Sequence, residues 1–289
     1  MPNGIIVIDK PQEWTSMDVC AKLRGILKEK RIGHAGTLDP MATGVLPVFV
    51  GRATRAVEFA DKGEKEYVAG LKLGLVTNTQ DTSGEVLERH PVQVTREQLD
   101  SVLDRFRGDI LQIPPMYSAI KINGKKLYEL ARKGREVERP ARPVTIYSLT
   151  VEDQLSPDEF ILRVRCSKGT YVRTLCHDIG AALGCGGCMS SLRRTMAAGF
   201  TLEQSVSLEQ IMQAENPAAL LLPVDTYFAQ HPQLTLPADL EKKMRNGMTV
   251  VTPQAADGEY RVYGENGGFL ALCRAKNGKL TTTKSFFEV

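Results

Sequence analysis

Residues 33–44 read Gly-His-Ala-Gly-Thr-Leu-Asp-Pro-Met-Ala-Thr-Gly, and this segment constrains the chain more than any other. Its three glycines permit backbone geometries that other residues avoid, and they let a bulky partner approach the main chain. We therefore expect an irregular loop that presents the Asp39 carboxylate to a large ligand. Asp39-Pro40 is also a good helix start, with Asp39 as the N-cap and Pro40 at the first helical position. The local sequence leaves both interpretations open.

Basic residues precede this segment and form a second cluster farther along the chain. Residues 121–142 carry eight basic and three acidic side chains, a local charge of +5, although the whole chain has a formal net charge of only +3. Such a local excess indicates a phosphate-binding surface, although a solvated helix face would look similar. The first cluster consists of Lys22, Arg24, Lys28, Lys30 and Arg31.

Length and composition indicate a globular protein with a sizeable core. The 289 residues exceed the ~150 expected for one domain, which predicts one large domain and a smaller one. No apolar run approaches the ~20 residues that span a bilayer. Asp9 and Lys10 interrupt the first apolar run too early for a signal peptide. The six cysteines are scattered along the chain, which is typical of free thiols. We therefore expect a cytoplasmic protein without a membrane span.

Hydrophobic periodicity predicts strands and helices in irregular alternation. A helix over about 17–30 would be capped by Ser16, and Thr95 with Gln98 forms a capping box for another helix. Because the strands and helices show no regular βαβ repeat, we predict an α+β fold with a mixed, largely antiparallel central sheet flanked by helices. The predicted strands are 5–8, 45–50, 67–73, 144–152 and 159–166, and a further helix is predicted over 170–183.

Two features divide the chain further. Prolines bracket the basic segment at about 114–143, as expected for an insertion. A small β-rich domain is predicted over 232–289, with a helix at about 237–246, strands at 260–263 and 269–274, and glycine-containing turns.

The segment 33–44, followed by Val45-Leu46-Pro47, resembles the signature of the TruB family, the bacterial tRNA pseudouridine-55 synthases. Several long motifs in the right order are specific, and together they extend over nearly the whole chain. Glu13, Asn78 and Cys188-Met189 depart from the family pattern without touching Asp39. The further motifs are Asp9-Lys10-Pro11, Thr15-Ser16, Pro115–Lys121, Asn123-Gly124-Lys125, Tyr128–Arg132, Ser167–Arg173 and Leu192–Thr195.

The resemblance implies a pseudouridine synthase catalytic domain over 1–231, with an RNA-gripping insertion at 114–143, and a PUA-like RNA-binding domain over 232–289. The implied reaction is isomerisation of uridine-55 in the T-loop of tRNA, with base flipping, no cofactor, no metal and an accompanying role in tRNA folding. The compact C-terminal segment suits the stand-alone enzyme, a monomer without an obligatory protein partner.

The resemblance also implies the site residues. Asp39 is the catalytic aspartate, although its attack on the sugar, attack on the ring or removal of a sugar proton remain alternatives. Arg173 would pair with this carboxylate and keep it ionised. Tyr67 would stack on the flipped uracil and take part in proton transfer, although its alternation with Ala69 and Leu71 fits a core tyrosine equally well. Tyr171 and Leu192 would form further walls of the uridine pocket.

The remaining residues implied by the resemblance bind RNA. His34 would fill the space that the flipped bases vacate, whereas a lone histidine is more often structural. Four lysines would contact phosphates and set affinity rather than sequence preference. These are Lys10, Lys121, Lys125 and Lys126.

Three other functions remain as alternatives. A non-catalytic RNA-binding protein would gain nothing from a carboxylate facing phosphates. A hydrolase such as a glycosidase needs paired carboxylates, and Asp81 is the residue that could approach Asp39 in space. A guide-RNA-dependent relative would work with accessory proteins. Cys185 and Cys188 have the spacing of zinc ligands, but no second pair with that spacing follows.

Overall fold

The computed structural model describes residues 1–122, 124–253 and 255–287. The strands in these residues form a nine-stranded sheet, a five-stranded sheet and two two-stranded sheets. The strands, in chain order, are β1 Gly4–Lys10, β2 Ile32–His34, β3 Thr43–Val50, β4 Lys65–Leu73, β5 Leu75–Thr77, β6 Val86–Arg89, β7 Gly108–Gln112, β8 Lys121–Ile122, β9 Lys125–Lys126, β10 Arg142–Ser156, β11 Glu159–Cys166, β12 Gly187–Ala197, β13 Phe200–Thr201, β14 Gln233–Thr235, β15 Val250–Val251, β16 Gly258–Tyr263, β17 Phe269–Lys276 and β18 Lys279–Ser285.

The helices are short, the longest having 12 residues. None of the helices in the described ranges is long and apolar enough to cross a membrane. The helices are α1 Ser16–Leu27, α2 Val57–Ala60, α3 Arg96–Leu103, α4 Leu127–Ala131, α5 Val172–Ala182, α6 Leu208–Gln213 and α7 Ala238–Arg245.

The larger sheet has the order β1-β3-β12-β4-β11-β10-β7, with β2 beside β3 and β13 beside β12. Its only parallel pairing among the described strands is between β12 and β3; the other pairings are antiparallel. The predicted α+β fold with a mixed, largely antiparallel sheet is therefore confirmed. Residues 35–42, hereafter the Asp39 loop, connect β2 to β3 near the middle of this sheet.

Separate apolar cores hold the layers together. Helices α3 and α5 cover one part of the sheet, where Leu99, Leu103, Leu175 and Ile179 are fully buried. Helices α1 and α6 pack on the β1–β3 end. Because apolar burial is the main driving force of folding, these contacts fix the positions of the loops at the sheet.

The smaller sheet has the order β14-β16-β17-β18-β15 and, with α7, its own core. It also packs against the first part of the chain, because Leu272 and Phe286 share a core with Phe49 and Phe228. The Lys284 ammonium lies 2.5 Å from Glu58 Oε1, and Tyr263 donates a hydrogen bond of 2.6 Å to Asp225. The C-terminal β-rich unit is thus docked on the large sheet.

The predicted helix starts are partly confirmed. Thr95 and Gln98 form the predicted capping box of α3. The prediction that Ser16 caps α1 is wrong, because Thr15 is the N-cap and forms a capping box with Asp18. Helix α1 also ends earlier than predicted, since Lys28 adopts a left-handed conformation with φ +50°. The Ser16 hydroxyl is left free to bind the Asp39 loop.

The basic segment at 114–143 is an excursion between two paired strands. Gln112 at the end of β7 lies opposite Arg142 at the start of β10. Between them, β8 and β9 form a two-stranded hairpin followed by α4. The motif residue Asn123 lies outside the described residues. A long connection between adjacent antiparallel strands is the arrangement expected of an inserted element.

Gly44 marks a close approach of two backbones. It has φ +102°, and a Cβ at this position would lie 2.2 Å from the carbonyl oxygen of Arg194, its partner across the parallel β3–β12 pairing. We expect Gly44→Ala to lower the free energy of unfolding by more than about 3 kcal/mol, because left-handed strain of about 1–2 kcal/mol adds to the clash. Urea unfolding followed by circular dichroism measures this loss.

Gly108→Ala is the matched control for this prediction. Gly108 has φ +82°, but no atom lies within 4 Å of the place that a Cβ would occupy, so its substitution reports backbone strain alone. If Gly44→Ala lowered the free energy of unfolding by no more than Gly108→Ala does, the close approach of Gly44 to the Arg194 carbonyl would not explain the destabilisation.

Candidate active site

The Asp39 loop is held from both sides by the N-terminal part of the chain. The amide of Leu38 donates to the Ser16 hydroxyl at 2.9 Å, and that hydroxyl donates to the Leu38 carbonyl at 3.3 Å. Leu38 and Ala42 are buried in the core on either side of Asp39. The amide of Ala42 donates to the Asp39 carbonyl at 3.0 Å, which forms a turn. No helix begins here, so the alternative of Asp39 as a helix N-cap is wrong.

Lys10 binds this loop rather than solvent. Its side chain is fully buried, and its ammonium donates to the carbonyls of Pro11, Trp14 and Pro40 at 2.8, 2.6 and 3.2 Å. Burial lowers the pKa of Lys10 to about 8, an effect that the nearby Asp39 charge opposes. These contacts argue against the predicted phosphate contact of Lys10. Its three donors are used by main-chain carbonyls, one of them next to Asp39.

Arg173 connects Asp39 to its surroundings. Its Nε lies 3.1 Å from Asp39 Oδ2, the pairing that the family resemblance implies. Its two other nitrogens donate to the carbonyls of Thr79 and Tyr117 at 3.0 and 2.8 Å, and Nη1 lies 3.6 Å from Asp81 Oδ2. Arg173 is 6% exposed whereas the Asp39 side chain is 41% exposed, so the pair presents the carboxylate to a ligand and keeps the guanidinium behind it.

Asp81 is a second acidic neighbour of Arg173 that sequence reasoning considered only as a catalytic partner of Asp39. It is 4% exposed, and its Oδ1 accepts hydrogen bonds from the Thr79 hydroxyl and from the amide and hydroxyl of Ser83. This nearly buried carboxylate faces these donors and Arg173 rather than a ligand. The geometry thus argues against a hydrolase with paired carboxylates.

The apolar walls of the site come from two neighbouring strands and one helix start. Tyr67 on β4 and Leu192 on β12 are nearly buried and share a core with Leu38 and Ala42. Tyr171 precedes α5, and its main chain is held by both ends of the Gln112 amide. Burial raises the pKa of both tyrosines, and the Asp39 charge adds to this effect. Both phenols are therefore neutral near pH 7.

Arg194 lies opposite Tyr67 across the β4–β12 pairing, beneath the Asp39 loop. It is fully buried, and its Nε and Nη2 donate to the carbonyls of Val45 and Gly36 at 2.7 and 3.0 Å. Its Nη1 has no hydrogen-bond partner. Burial lowers the pKa of Arg194, and the Tyr67 hydroxyl opposes this effect. Sequence reasoning missed this residue because only the fold brings it under the loop.

His34 lies at the end of β2 on the same side of the loop as Gly36. Its imidazole is half-buried, and its Nδ1 has no hydrogen-bond partner. Burial lowers the pKa of His34, and the charge of Arg194 lowers it further. The ring is therefore a neutral, partly exposed plane near pH 7.

The lysines of the insertion differ in exposure. Lys121 and Lys125 are exposed on the β8–β9 hairpin. The Lys126 ammonium instead donates to the Tyr128 hydroxyl at 3.2 Å and lies 5.3 Å from the centre of that ring. Lys121 and Lys125 are thus exposed to solvent, whereas Lys126 is partly engaged with Tyr128.

The cysteines are free thiols, as their scattered positions predict, and all six are buried. Across residues 1–122, 124–253 and 255–287, no three His, Cys, Asp or Glu side chains are grouped so that they could hold a metal ion.

Comparison with known proteins shows to which family this chain belongs. Residues 24–172 match the TruB family pseudouridylate synthase N-terminal domain, residues 173–229 the tRNA pseudouridylate synthase B C-terminal domain, and residues 232–283 the pseudouridine synthase II TruB C-terminal model. The chain belongs to the TruB family of pseudouridine synthases. It is therefore an enzyme, an isomerase that converts uridine to pseudouridine.

Full-length relatives support the TruB assignment. The chain is 40% identical to tRNA pseudouridine synthase B of Clostridium kluyveri over 98% of its own length and 99% of that protein. It is 46% identical to the protein of the same name from Stutzerimonas stutzeri, over 93% of this chain and 90% of that one. The similarity thus includes both the Asp39 site and the C-terminal sheet.

Solved structures confirm the pseudouridine synthase fold of this TruB-family chain. A chain of a Cbf5-Nop10-Gar1 complex matches with a TM-score of 0.74 and 26% identity, over 98% of this chain and 85% of that chain. A chain of the archaeal box H/ACA Nop10-Cbf5 complex matches with a TM-score of 0.71 and 24% identity, over 99% and 86%, and shows the fold alone.

Proposed function

We propose that this TruB-family enzyme isomerises uridine-55 in the T-loop of tRNA and that Asp39 is its catalytic residue. The observation that carries the proposal is the Asp39–Arg173 ion pair, which presents a partly exposed carboxylate between Tyr67, Tyr171 and Leu192. The tRNA substrate is supported by relatives that are named tRNA pseudouridine synthase B and are 40–46% identical over most of the chain.

The reaction is an isomerisation whose atoms balance within the nucleotide. The bond from uracil N1 to C1′ breaks, the base turns, a bond forms between C5 and C1′, the C5 proton leaves and N1 gains a proton. The base must first leave its stack, which costs a few kcal/mol, before Asp39 can reach it. Tyr67 would stack on the flipped uracil as a neutral phenol, and Tyr171 and Leu192 would enclose it.

RNA binding would involve the Asp39 loop, the insertion and the C-terminal sheet. His34 offers a neutral ring to the unstacked loop of the RNA, a common mode of loop recognition. Lys121, Lys125 and Lys126 would contact phosphates. We propose that the unit from about residue 232 is PUA-like and also binds RNA, and that residues 1–231 form the catalytic domain.

Tritium release tests this function. Wild-type protein and a T-arm hairpin RNA labelled at uridine C5 are mixed in EDTA without nucleotides, and one tritium per RNA should be released as the C5–C1′ bond forms. A hairpin with cytidine at the target position is the control. Absence of release from an RNA that demonstrably binds would contradict the proposal.

The same assay separates a second candidate, the guide-RNA-dependent enzyme. This candidate is favoured by the structural match to a chain of a Cbf5-Nop10-Gar1 complex. The higher identity of the tRNA pseudouridine synthase B relatives supports the stand-alone form, which acts in the cytoplasm as a monomer without an obligatory partner. Tritium release from the labelled hairpin by the purified chain, without a guide RNA or another protein, would exclude the guide-dependent mode.

A further inference from the structure

A crevice of about 680 Å³ lies between the Asp39 loop and the C-terminal sheet. His34, Gly36 and Thr37 line it on the loop side, and Lys284 on β18 lines it on the other. Tyr67, Tyr171, Arg173 and Leu192 do not line it, so this basic crevice is separate from the uridine site although both share the loop. Its charged lining consists of Arg55, Glu58, Asp61, Lys62, Lys168 and Lys284.

The basic crevice has unpaired positive charge. Of its four cations, Lys284 pairs with Glu58 at 2.5 Å, and Arg55 donates to the Ser285 hydroxyl at 2.9 Å. Lys62 and Lys168 are exposed, and within the described part of the chain neither forms an ion pair with a carboxylate. The lining thus has four cations against the two acids Glu58 and Asp61, and Glu58 is paired with Lys284. Lys62 and Lys168 are therefore available for an external anion.

Two further cations lie beneath the floor of the crevice at Gly36. A Cβ on Gly36 would lie 3.0 Å from Lys65 Cε and 3.3 Å from Arg194 Nη1, so both side chains pack directly against this glycine. Lys65 is 8% exposed, and its ammonium makes only long hydrogen bonds of 3.3–3.4 Å to main-chain carbonyls. Arg194 is fully buried with Nη1 unpartnered.

Burying two cations together is costly unless an anion compensates them. Asp61 acts on both electrostatically, but within the described ranges it does not come within ion-pairing distance of either. The carbonyl contacts of Arg194 account for Nε and Nη2. The Tyr67 hydroxyl also acts on the guanidinium, but it is a neutral group and supplies no counter-charge. An anion seated on Gly36 would supply the missing counter-charge, since no side chain at this position separates it from the buried pair.

We propose that the basic crevice binds a backbone phosphodiester of the substrate RNA next to the nucleotide that enters the Asp39 site. Lys62 and Lys168 contact the phosphate directly, and Lys65 and Arg194 attract it from beneath Gly36. The proximity follows from the chain itself, because Gly36 and Thr37 lie three and two residues before Asp39. The inference rests on the proposed function in that the ligand is the RNA substrate.

Salt dependence of binding tests the crevice. The double variant Lys62→Gln/Lys168→Gln should weaken binding of the T-arm hairpin about tenfold and reduce the slope of log Kd against log salt by ~0.7–0.9, the change expected for the loss of one phosphate contact. Arg89→Gln/Arg105→Gln removes two exposed charges elsewhere and should leave both quantities unchanged. Equal slopes for the two double variants would overturn the proposal.

Neutralising the RNA locates the phosphate. Hairpins carrying a methylphosphonate at one position at a time, within the three nucleotides on each side of the target, are compared with the unmodified hairpin. At one position, the methylphosphonate should weaken wild-type binding by the same factor by which Lys62→Gln/Lys168→Gln, the crevice variant, weakens binding of the unmodified hairpin. At that position the methylphosphonate should not weaken binding by the crevice variant any further. Additive losses at every position would overturn the proposal.

The two proposals fail in distinguishable ways. If the wild type forms no pseudouridine in the hairpin but shows the methylphosphonate coupling, the proposed function fails and the crevice stands. If it forms pseudouridine and the crevice variant keeps the wild-type salt slope, the crevice fails and the function stands.

Discussion

Asp39→Asn is expected to abolish pseudouridine formation and to leave RNA binding intact. The substitution keeps the shape of the side chain and removes the negative charge that acts on the nucleotide, so the single-turnover rate should fall by at least about a thousandfold. The residues around Asp39 should keep their positions, because Arg173 still donates to the carbonyls of Thr79 and Tyr117 and still lies beside the Asp81 carboxylate. The Asp39 side chain itself is 41% exposed and carries little of the packing.

Three measurements on one preparation check this expectation: tritium release, the Kd for the T-arm hairpin and the urea midpoint of unfolding. Asp153→Asn, at an exposed position on β10, is the matched control and should behave as wild type. If Asp39→Asn also keeps the ability to refold misfolded tRNA, the folding role is separate from catalysis. A rate within tenfold of wild type would contradict the catalytic assignment of Asp39.

Local patterns in the sequence predict most of the elements that carry the site. Alternation around Tyr67 predicts β4, and the Thr95–Gln98 pair predicts the start of α3, because both signals lie within a few residues of chain. The ion pair of Asp39 with Arg173 was also expected, although from family resemblance rather than from spacing. Its distance of 3.1 Å shows that the Asp39 loop and α5 bring these positions together.

Contacts between distant parts of the chain could not be predicted in this way. Lys10 looks like a phosphate ligand in sequence, yet the fold encloses it under Pro40, 30 residues away. Ser16 looks like a helix cap, yet its hydroxyl holds Leu38. Arg194 carries no local sign that it lies beneath Gly36, because the parallel β3–β12 pairing alone places it there.

Replacing Arg173 is expected to have the second largest effect, on both rate and stability. Arg173→Lys keeps a charge but cannot contact Asp39 and the carbonyls of Thr79 and Tyr117 together, so the saturating rate should fall by about a hundredfold. Arg173→Met removes the charge. Because Asp81 would then be a buried carboxylate without its cation, the free energy of unfolding should fall by about 3–5 kcal/mol.

A double-mutant cycle with Asp81 separates the two effects. Asp81→Asn preserves the acceptor for Thr79 and Ser83 and removes the unpaired charge, so in the Arg173→Met background it should recover about 0.5–3 kcal/mol of stability. It should not recover activity, because nothing then orients the Asp39 carboxylate. Urea unfolding measures the stability, and single-turnover tritium release measures the rate, of the wild type, the two single variants and the double variant. Additive stability losses would show that Arg173 and Asp81 are not coupled, and a restored rate would show that Arg173 acts on folding alone.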